Sequence, residues 1–403
     1  MADPTGALAR CTRTDAATFA AEHWSRTPLL SRGKELPRGF DDLLTVADVD
    51  EMVTGRALRT PFFRTVREGS GLPLPVRTVT AGSRRIGDVV DPDRLREQYD
   101  GGATLVLQSL HRSHPPVERF CRRLAAELGH ATQCNAYVTP AGDAQGFDFH
   151  HDTHDVFVLQ ISGRKRWIVH EPVVRLPLPS QPQSGAHLVR DGAEPLLDVE
   201  LEAGDALYLP RGYVHAALTT DEHSVHLTVG VLTTTWYDVL GDVAKLAAEQ
   251  PAFRDALPVQ PLGSLDELPA FLARAAEWLA ALPEQQVRDA VERRLLRAVP
   301  LEPLGPLAGA AALAALGPQT ALRPRFGLPV RLDEGDRVTL TVPGRVLALP
   351  PSTLPALRVV LAGPCCVADL AVGELDGDDA LVLARRLLRE GIAVADVTAS
   401  ASG

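Results

Sequence analysis

Residues able to bind a metal ion are concentrated in the segment 146–157, which reads GFDFHHDTHDVF. His150 and Asp152 are two residues apart and stand shortly before the apolar run 156–159. On an extended strand, residues i and i+2 project from the same face. An imidazole and a carboxylate side by side are two ligands of the 2-His-1-carboxylate triad, which leaves three positions on Fe(II) open. The segment therefore predicts two ligands of a catalytic metal.

The same segment permits other interpretations. His150, Asp152 and His154 would all share one face of a strand, so Asp152 with His154 is an alternative pair. We favour His150 with Asp152, because ligands sit best at the rim of a sheet, with the dry apolar run beyond them. Alternatively, these histidines are surface residues of a polar turn, and H-x-D alone does not decide the matter.

A third ligand is predicted at His215, in the segment 204–215 with the sequence GDALYLPRGYVH. Ala206–Leu209 has the character of a strand, and the Pro/Gly turn after it determines where the histidine emerges. The spacing G-x5-P-x-G-x2-H matches the second cupin motif, with Thr219 where Asn is usual. The first cupin motif is matched less well, since H-x-D replaces H-x-H and the later Glu is missing. This combination is typical of the iron oxygenases among cupins.

Further segments make a closer resemblance visible between about residues 131 and 230. They are N-x-Y-x-T-P (135–140), G-F-x-x-H-x-D (146–152), D-V-F-V-L-Q (155–160), G-R-K-x-W (163–167) and G-D-x-L-Y-L-P-R-G-x-x-H (204–215). Together these motifs resemble the JmjC-type ribosomal oxygenases, a family that hydroxylates side chains of ribosomal proteins. The order and spacing of the motifs make the match specific.

The resemblance implies a role for each matching position. The residues at 150, 152 and 215 correspond to the iron ligands. Lys165 corresponds to the residue that pairs with the distal carboxylate of 2-oxoglutarate, and Asn135 and Tyr137 correspond to residues lining the same pocket. Some bacterial members have Arg at the position of Lys165, and either cation suits a carboxylate.

Strand alternation is compatible with an inward Lys165. Its neighbours Arg164 and Arg166 would then point to the opposite side, into solvent. The alternative is an exposed lysine in an ordinary G-R-K-R turn.

The chemistry implied by the resemblance uses Fe(II), with 2-oxoglutarate and O2 as co-substrates. Oxidative decarboxylation to succinate would be coupled to hydroxylation of a nearby C–H bond. The protein would contribute positioning, charge neutralisation and a dry wall. Neighbouring side chains should orient the histidines. Asp155, His154 and Tyr208 are near in sequence, but the sequence assigns none of them.

Composition agrees with a globular enzyme. The 403 residues are enough for two or three domains, and 45% hydrophobic with 23% charged residues is typical of globular proteins. The five cysteines form no C-x2-C pair, which disfavours zinc fingers and disulfide frameworks and favours a reducing compartment. No signal peptide and no apolar run of about 20 residues is visible. We therefore expect a cytoplasmic protein without a membrane span.

The predicted fold class is α+β, with a double-stranded β-helix of the cupin/JmjC jelly-roll type. Residues 1–232 are expected to form the catalytic domain, with an N-terminal helical extension and a barrel core at about 131–232. Within it, Val117–Gly129 has helical spacing, and Pro172–Leu197 is a polar connection suited to substrate contact.

Two further regions follow the barrel. Residues 233–300 are predicted to be helical, notably at 265–279 and 287–299. The resemblance makes this a dimerisation region, whereas an ordinary helical bundle covering the barrel is the alternative. Residues 301–403 show a helical alanine run, strand-like segments at 337–342 and 345–349, and helices near 354–361 and 378–390. This order is similar to the family's winged-helix domain.

Charge bears on the partners. Residues 301–403 contain nine Arg and no Lys against eleven acidic residues, so DNA binding is not expected. The whole chain has a net charge of −10, which favours a basic protein partner slightly.

Three functions fit the sequence. The first is hydroxylation of an Arg or His side chain of a ribosomal protein, by a homodimeric enzyme. The second is the same chemistry on a peptide or a small metabolite of a biosynthetic pathway. The third is a non-enzymatic cupin-like binding protein, which the complete triad together with Lys165 argues against.

Overall fold

The computed structural model describes residues 6–142, 144–181, 189, 193–257 and 266–395. They form two compact units, which divide between Ala298 and Val299. The further boundary expected at residue 232 remains a prediction. In the described part of the chain, no helix is both long and apolar enough to cross a membrane.

The first unit is built on antiparallel strands. The strands are β1 (Leu29–Ser31), β2 (Phe63–Arg67), β3 (Ser70–Gly71), β4 (Val76–Ala81), β5 (Arg84–Val90), β6 (Thr104–Leu107), β7 (Ala131–Thr139), β8 (Asp155–Gly163), β9 (Lys165–His170), β10 (Leu197–Leu201), β11 (Ala206–Leu209), β12 (Val214–Leu218) and β13 (Ser224–Leu232). An eight-stranded sheet has the order β1-β11-β8-β13-β7-β6-β2-β3, a three-stranded sheet has the order β10-β9-β12, and β4 with β5 forms a separate hairpin.

Strand β8 is buried on both faces, which explains its unbroken apolar sequence. Val156 and Val158 pack in one apolar cluster with Trp167 of the small sheet. Phe157, one residue out of phase with them, packs instead in the main core, where its ring centroid is 5.8 Å from that of Phe19. The two sheets therefore face each other across β8 and β9, and the N-terminal segment covers the outer face of the large sheet.

The longer helices that precede β13 in sequence pack in the same core as the large sheet. In the described part of this unit, three further helices follow β13 in sequence. The predicted helix at 117–129 is confirmed as α4, which starts with two prolines and ends at Gly129 in the left-handed conformation (φ 69°). The helices are α1 (Ala16–Thr18), which continues as a π-helical turn (Phe19–His23), α2 (Val46–Gly55), α3 (Pro92–Asp100), α4 (Pro115–Leu128), α5 (Trp236–Ala247), α6 (Leu268–Ala281) and α7 (Glu284–Ala298).

The described residues after the barrel, 233–257 and 266–300, contain the predicted helices. Helices α6 and α7 correspond to the predicted segments 265–279 and 287–299, although Leu265 lies outside the described residues. The Arg294 guanidinium of α7 pairs with the Asp242 carboxylate of α5 at 2.5 Å. The Pro-rich insert is the connection from β9 to β10, and its residues 182–188 and 190–192 lie outside the description.

The second unit has a core of its own, with Leu340, Leu357 and Leu387 fully buried. Its elements are α8 (Pro306–Ala314), β14 (Ala321–Pro324), β15 (Arg331–Asp333), β16 (Val338–Val342), β17 (Arg345–Leu349), α9 (Leu354–Ala362), β18 (Cys365–Cys366), α10 (Gly377–Arg389) and β19 (Ala393–Ala395). The described strands form two three-stranded sheets, β18-β14-β19 and β15-β16-β17. The helices predicted at 354–361 and 378–390 and the two predicted strands are confirmed to within a residue, whereas the winged-helix assignment remains a prediction.

The burial of β8 predicts a large cost for truncating Phe157. This side chain is fully buried and contacts the rings of Phe19 and Tyr208. We expect Phe157→Ala to lower the free energy of unfolding by about 3–5 kcal/mol, measured by urea denaturation. The matched control is Phe62→Ala, since that phenylalanine is 38% exposed. Equal losses for the two variants would contradict the packing described for β8.

Candidate metal centre

Reciprocal backbone hydrogen bonds bring the predicted ligands together. The His150 N–H donates to the His215 carbonyl (3.1 Å), and the His215 N–H donates back to His150 (2.8 Å). The Gly212 N–H donates to the Asp152 carbonyl at 3.0 Å. As a result, ligand atoms of the side chains at 150, 152 and 215 lie within 4.8 Å of one another.

The local backbone differs from the prediction. A strand was expected to begin at or before His150, but β8 begins only at Asp155. Residues 151–154 form no strand, because their backbone joins the turn before β12 and not a continuous ladder. The side chains of His150 and Asp152 thus converge through cross-loop hydrogen bonds, not through the pleat of a strand.

The glycine of the motif is required by its surroundings. Gly212 has a φ of 93°, which side chains other than glycine rarely tolerate. A Cβ at this position would lie 2.5 Å from the Val174 carbonyl oxygen and 2.8 Å from Pro177 Cδ. The turn that delivers His215 can therefore pack against the Pro-rich insert only with glycine here.

Both histidines are oriented to present the same ring nitrogen. His150 Nδ1 is 2.7 Å from the Asp148 carbonyl, and His215 Nδ1 is 3.0 Å from the Tyr213 carbonyl. A carbonyl oxygen only accepts, so each Nδ1 carries the hydrogen and each Nε2 is left to bind a metal. Burial, with a contribution from the neighbouring His150, lowers the pKa of His215 to about 4 and keeps this imidazole neutral. These donors fit a divalent transition metal.

The alternative ligand His154 lies elsewhere. Its Nε2 is 3.3 Å from Gln133 Nε2, and the residue lines a different cavity, together with Pro177 and Arg211. The structure thus groups Asp152 with the histidines at 150 and 215.

A cavity of about 330 Å³ extends from the triad between the two sheets. Apart from the triad, its walls combine polar groups with apolar side chains. They are Arg64, Thr104, Tyr137, Gly146, Phe147, Val156, Val158, Lys165, Trp167, Ala217, His226 and Thr228.

Lys165 points into this cavity. Only 3% of the residue is exposed, and its Nζ donates to Thr139 Oγ1 at 2.8 Å. Burial lowers the pKa of this amine to about 7. Its neighbours Arg164 and Arg166 are exposed, as strand alternation predicts, so the lysine is the inward cation of the three.

The other two predicted pocket residues have different positions. Tyr137 lines the cavity and stacks on His226, with ring centroids 4.9 Å apart. Burial raises the pKa of this phenol to about 12, so it remains a hydrogen-bond donor. Asn135 precedes it on the same face of β7, where its Oδ1 accepts from the Ser109 N–H at 2.9 Å. Asn135 is not among the described residues that line the cavity.

Three polar residues at the site were not singled out from the sequence. Thr139 belongs to the N-x-Y-x-T-P motif, so the sequence could have marked it as a site residue, although not as the partner of Lys165. His226 alternates with buried apolar residues along β13, which also marks it as inward. Arg64 has no local signal. It reaches the cavity from β2, and its guanidinium carbon is 5.1 Å from the Phe147 ring centroid.

A buried carboxylate supports the ligand loops. Asp155 is fully buried and accepts from Ser25 Oγ (2.9 Å), the Tyr208 hydroxyl (2.6 Å) and the Arg211 N–H (3.0 Å). The Arg211 guanidinium is 3.7 Å from the same carboxylate and donates to Thr233 Oγ1 at 2.8 Å. Asp155 therefore ties the segment after Asp152 to the segment before His215 and to the N-terminal region.

The fold and the site define a cupin-like domain with a 2-His-1-carboxylate centre, and comparison with known proteins places it in a family. Residues 107–239 match the JmjC domain. The chain is 34% identical to chicken (Gallus gallus) ribosomal oxygenase 1 over 257 residues, which are 61% of this chain and 40% of that protein. It is 30% identical to rat (Rattus norvegicus) ribosomal oxygenase 2 over 349 residues, 81% of this chain and 70% of that protein.

A solved structure agrees in fold. The ribosomal oxygenase YcfD of Escherichia coli, in complex with cobalt and 2-oxoglutarate, superposes with a TM-score of 0.53 at 17% identity, covering 95% of this chain and 98% of that one. The chain belongs to the JmjC ribosomal oxygenase family. The predicted mixed α and β fold with a cupin-type domain is confirmed.

The burial of Asp155 predicts that neutralising it is costly. Asp155→Asn leaves the Arg211 guanidinium buried without its counter-charge, and we expect a loss of about 3–5 kcal/mol in the free energy of unfolding. Denaturant titration would measure it. The matched control is Asp198→Asn, which breaks an exposed pair with Arg166 and should cost far less. A loss for Asp155→Asn no larger than the control's would contradict its role as an anchor.

Proposed function

We propose that this chain is an Fe(II)- and 2-oxoglutarate-dependent oxygenase that hydroxylates an Arg or His side chain of a ribosomal protein in the cytoplasm. The observation that carries the proposal is the junction of the metal triad and the buried Lys165 in one cavity. A triad alone would fit many cupins. A buried cation in the same cavity as the triad adds the requirement for an anionic co-substrate.

Each residue has a proposed part in the reaction. His150, Asp152 and His215 would hold Fe(II) through two Nε2 atoms and a carboxylate oxygen. When bound, the iron would supply the oxidising chemistry in which 2-oxoglutarate, O2 and a substrate C–H group become succinate, CO2 and a substrate C–OH group. The chain's own contribution is to orient both histidines before the metal arrives and to keep His215 neutral through burial.

Lys165 would pair with the distal carboxylate of 2-oxoglutarate. Its hydrogen bond to Thr139 holds the amine in place, and the protonated Tyr137 hydroxyl lines the same cavity. Val156, Val158 and Ala217 supply an apolar wall that limits water beside the reacting atoms. In support, the E. coli relative in fold contains cobalt, a metal stand-in, together with 2-oxoglutarate.

The proposed substrate class rests on the family. The chicken and rat relatives are named ribosomal oxygenases. The net charge of −10 suits a basic protein partner. The chain spans only 40% of the chicken protein's length, so the substrate has to be established for this chain itself.

We also infer a homodimer that does not bind DNA. Helix α5 exposes large apolar side chains, with Trp236 at 84%, Tyr237 at 63% and Leu240 at 61% exposure. Exposed apolar groups of this size on one element favour a protein interface. The acidic composition of residues 301–403 disfavours a nucleic-acid partner.

The proposal is tested by turnover. Protein loaded with Fe(II) without oxygen, then exposed to oxygen, should convert 2-oxoglutarate to succinate. One ribosomal protein of the source organism should stimulate this and gain about 16 Da, the mass of one oxygen atom. His150→Ala and Asp152→Ala should abolish both signals while leaving the unfolding midpoint close to wild type, because the loop is held by backbone bonds.

Other outcomes would redirect the assignment. If 2-oxoglutarate turns over but no ribosomal protein stimulates the reaction, the protein is still an oxygenase, and its substrate is a peptide or a metabolite. A protein that binds neither the metal nor 2-oxoglutarate would support the non-enzymatic binding protein. Full turnover in the alanine variants would refute the ligand assignment.

The lowered pKa of Lys165 predicts a pH dependence of co-substrate binding. Pairing with a carboxylate requires the charged amine, so above pH about 7 binding must include uptake of a proton. The Kd of 2-oxoglutarate should therefore rise by up to about tenfold per pH unit from about pH 7 to 9. Calorimetry on Mn(II)-loaded protein would measure it. In Lys165→Arg the guanidinium stays charged and the dependence should flatten. A flat profile in the wild type would contradict the pairing.

A further inference from the structure

A second and larger cavity lies away from the metal centre, in the same unit. Its volume is about 840 Å³. The floor is apolar and consists of Val49 of α2, Leu95 of α3, and Leu105, Val138 and Val225 of the large sheet, which are each at most 9% exposed. We call this cavity the α2–α3 groove. Its size suits a ligand with a substantial aliphatic part.

The floor of the groove is the reverse side of the metal cavity. Leu105 pairs with Val138, and Val138 pairs with Val225, so the three form a row across β6, β7 and β13. Adjacent residues on β7 and β13, Tyr137 and His226, line the metal cavity. Successive residues of a strand point to opposite faces. The two cavities are therefore separated by the thickness of one sheet.

The rim of the groove is acidic. Asp50 and Asp93 are exposed there, and neither forms an ion pair within the part of the chain that the structure describes. A third acid, Glu222, is neutralised by Arg164 at 3.0 Å. Arg96, an arginine on the rim, lies 3.4 Å from the Asp100 carboxylate. Two uncompensated carboxylates beside an apolar floor favour a cation and disfavour a fatty acid.

We propose that the α2–α3 groove is a binding site for an aliphatic amine, whose chain lies on the Val49, Leu105 and Val225 floor and whose ammonium group meets Asp50 and Asp93. The site is independent of the reaction assigned to the metal cavity. Its occupant would contact the sheet that forms the wall behind Tyr137 and His226.

Calorimetry on the full chain tests this, with octylammonium chloride and sodium octanoate as probes of equal chain length and opposite charge. Octylammonium should bind with one-to-one stoichiometry and about tenfold more tightly than octanoate, because attraction replaces repulsion at two exposed carboxylates. The difference should shrink as NaCl is raised, since these charges are screened. The double variant Asp50→Asn/Asp93→Asn should remove most of the preference.

Variants locate the binding. Val46 borders the groove and is 43% exposed, so Val46→Trp should fill the space without disturbing the core and weaken octylammonium binding by about tenfold or more. Val346→Trp, at a 62% exposed valine of the second unit, is the matched control and should bind normally. Val53→Trp, about two turns further along α2, tests the same wall if the first variant misfolds.

Three results would overturn the proposal. Absence of octylammonium binding would refute the site. Equal affinity for octanoate would refute the charge assignment. Unchanged octylammonium binding in folded Val46→Trp and Val53→Trp would place the ligand elsewhere. None of these results depends on iron, 2-oxoglutarate or turnover, so the proposed oxygenase activity stands or fails separately.

Discussion

The site depends on the pair of backbone hydrogen bonds between His150 and His215. These bonds join a loop before β8 to the start of β12, so residues far apart in sequence are held side by side before any metal binds. Because the bonds use only main-chain atoms, both imidazoles remain available. Their Nδ1 atoms are then occupied by carbonyls of residues two positions earlier, which leaves Nε2 facing the shared centre.

Near that pair, the side chains of Asp155 and Lys165 are buried, and their surroundings differ. Asp155 is fully buried but receives three hydrogen bonds and a neighbouring guanidinium, so its charge is compensated within the protein. Among the described residues, the partner of Lys165 is a hydroxyl and not a carboxylate, and burial lowers the pKa of its amine. The first group therefore serves the scaffold, whereas the second agrees with the role proposed for it in binding an anionic co-substrate.

Local sequence signals predicted much of this. Strand β11, helix α4 and four elements of the second unit (β16, β17, α9 and α10) are where periodicity and turn residues indicated. The three residues proposed as ligands could be selected from spacing, because a turn with Pro and Gly restricts where a histidine can emerge. The expected strand at 150–152 was wrong, since hydrogen bonding to a distant loop replaced a ladder. Arg64 and Ser25 reach the site from segments far away in sequence, and no local pattern marks such contacts.

Strand β7 carries a constraint of phase. Its odd-numbered residues, including Tyr137 and Thr139, face the metal cavity, whereas Val138 faces the α2–α3 groove on the opposite side of the sheet. A one-residue insertion before Tyr137 that shifted the strand would exchange the two sides at once. The Thr139 hydroxyl would then face away from Lys165, and the Tyr137 phenol would enter the α2–α3 groove. Point substitutions can change one cavity at a time, but changes of length in β7 cannot, so the two cavities have to evolve with a common register.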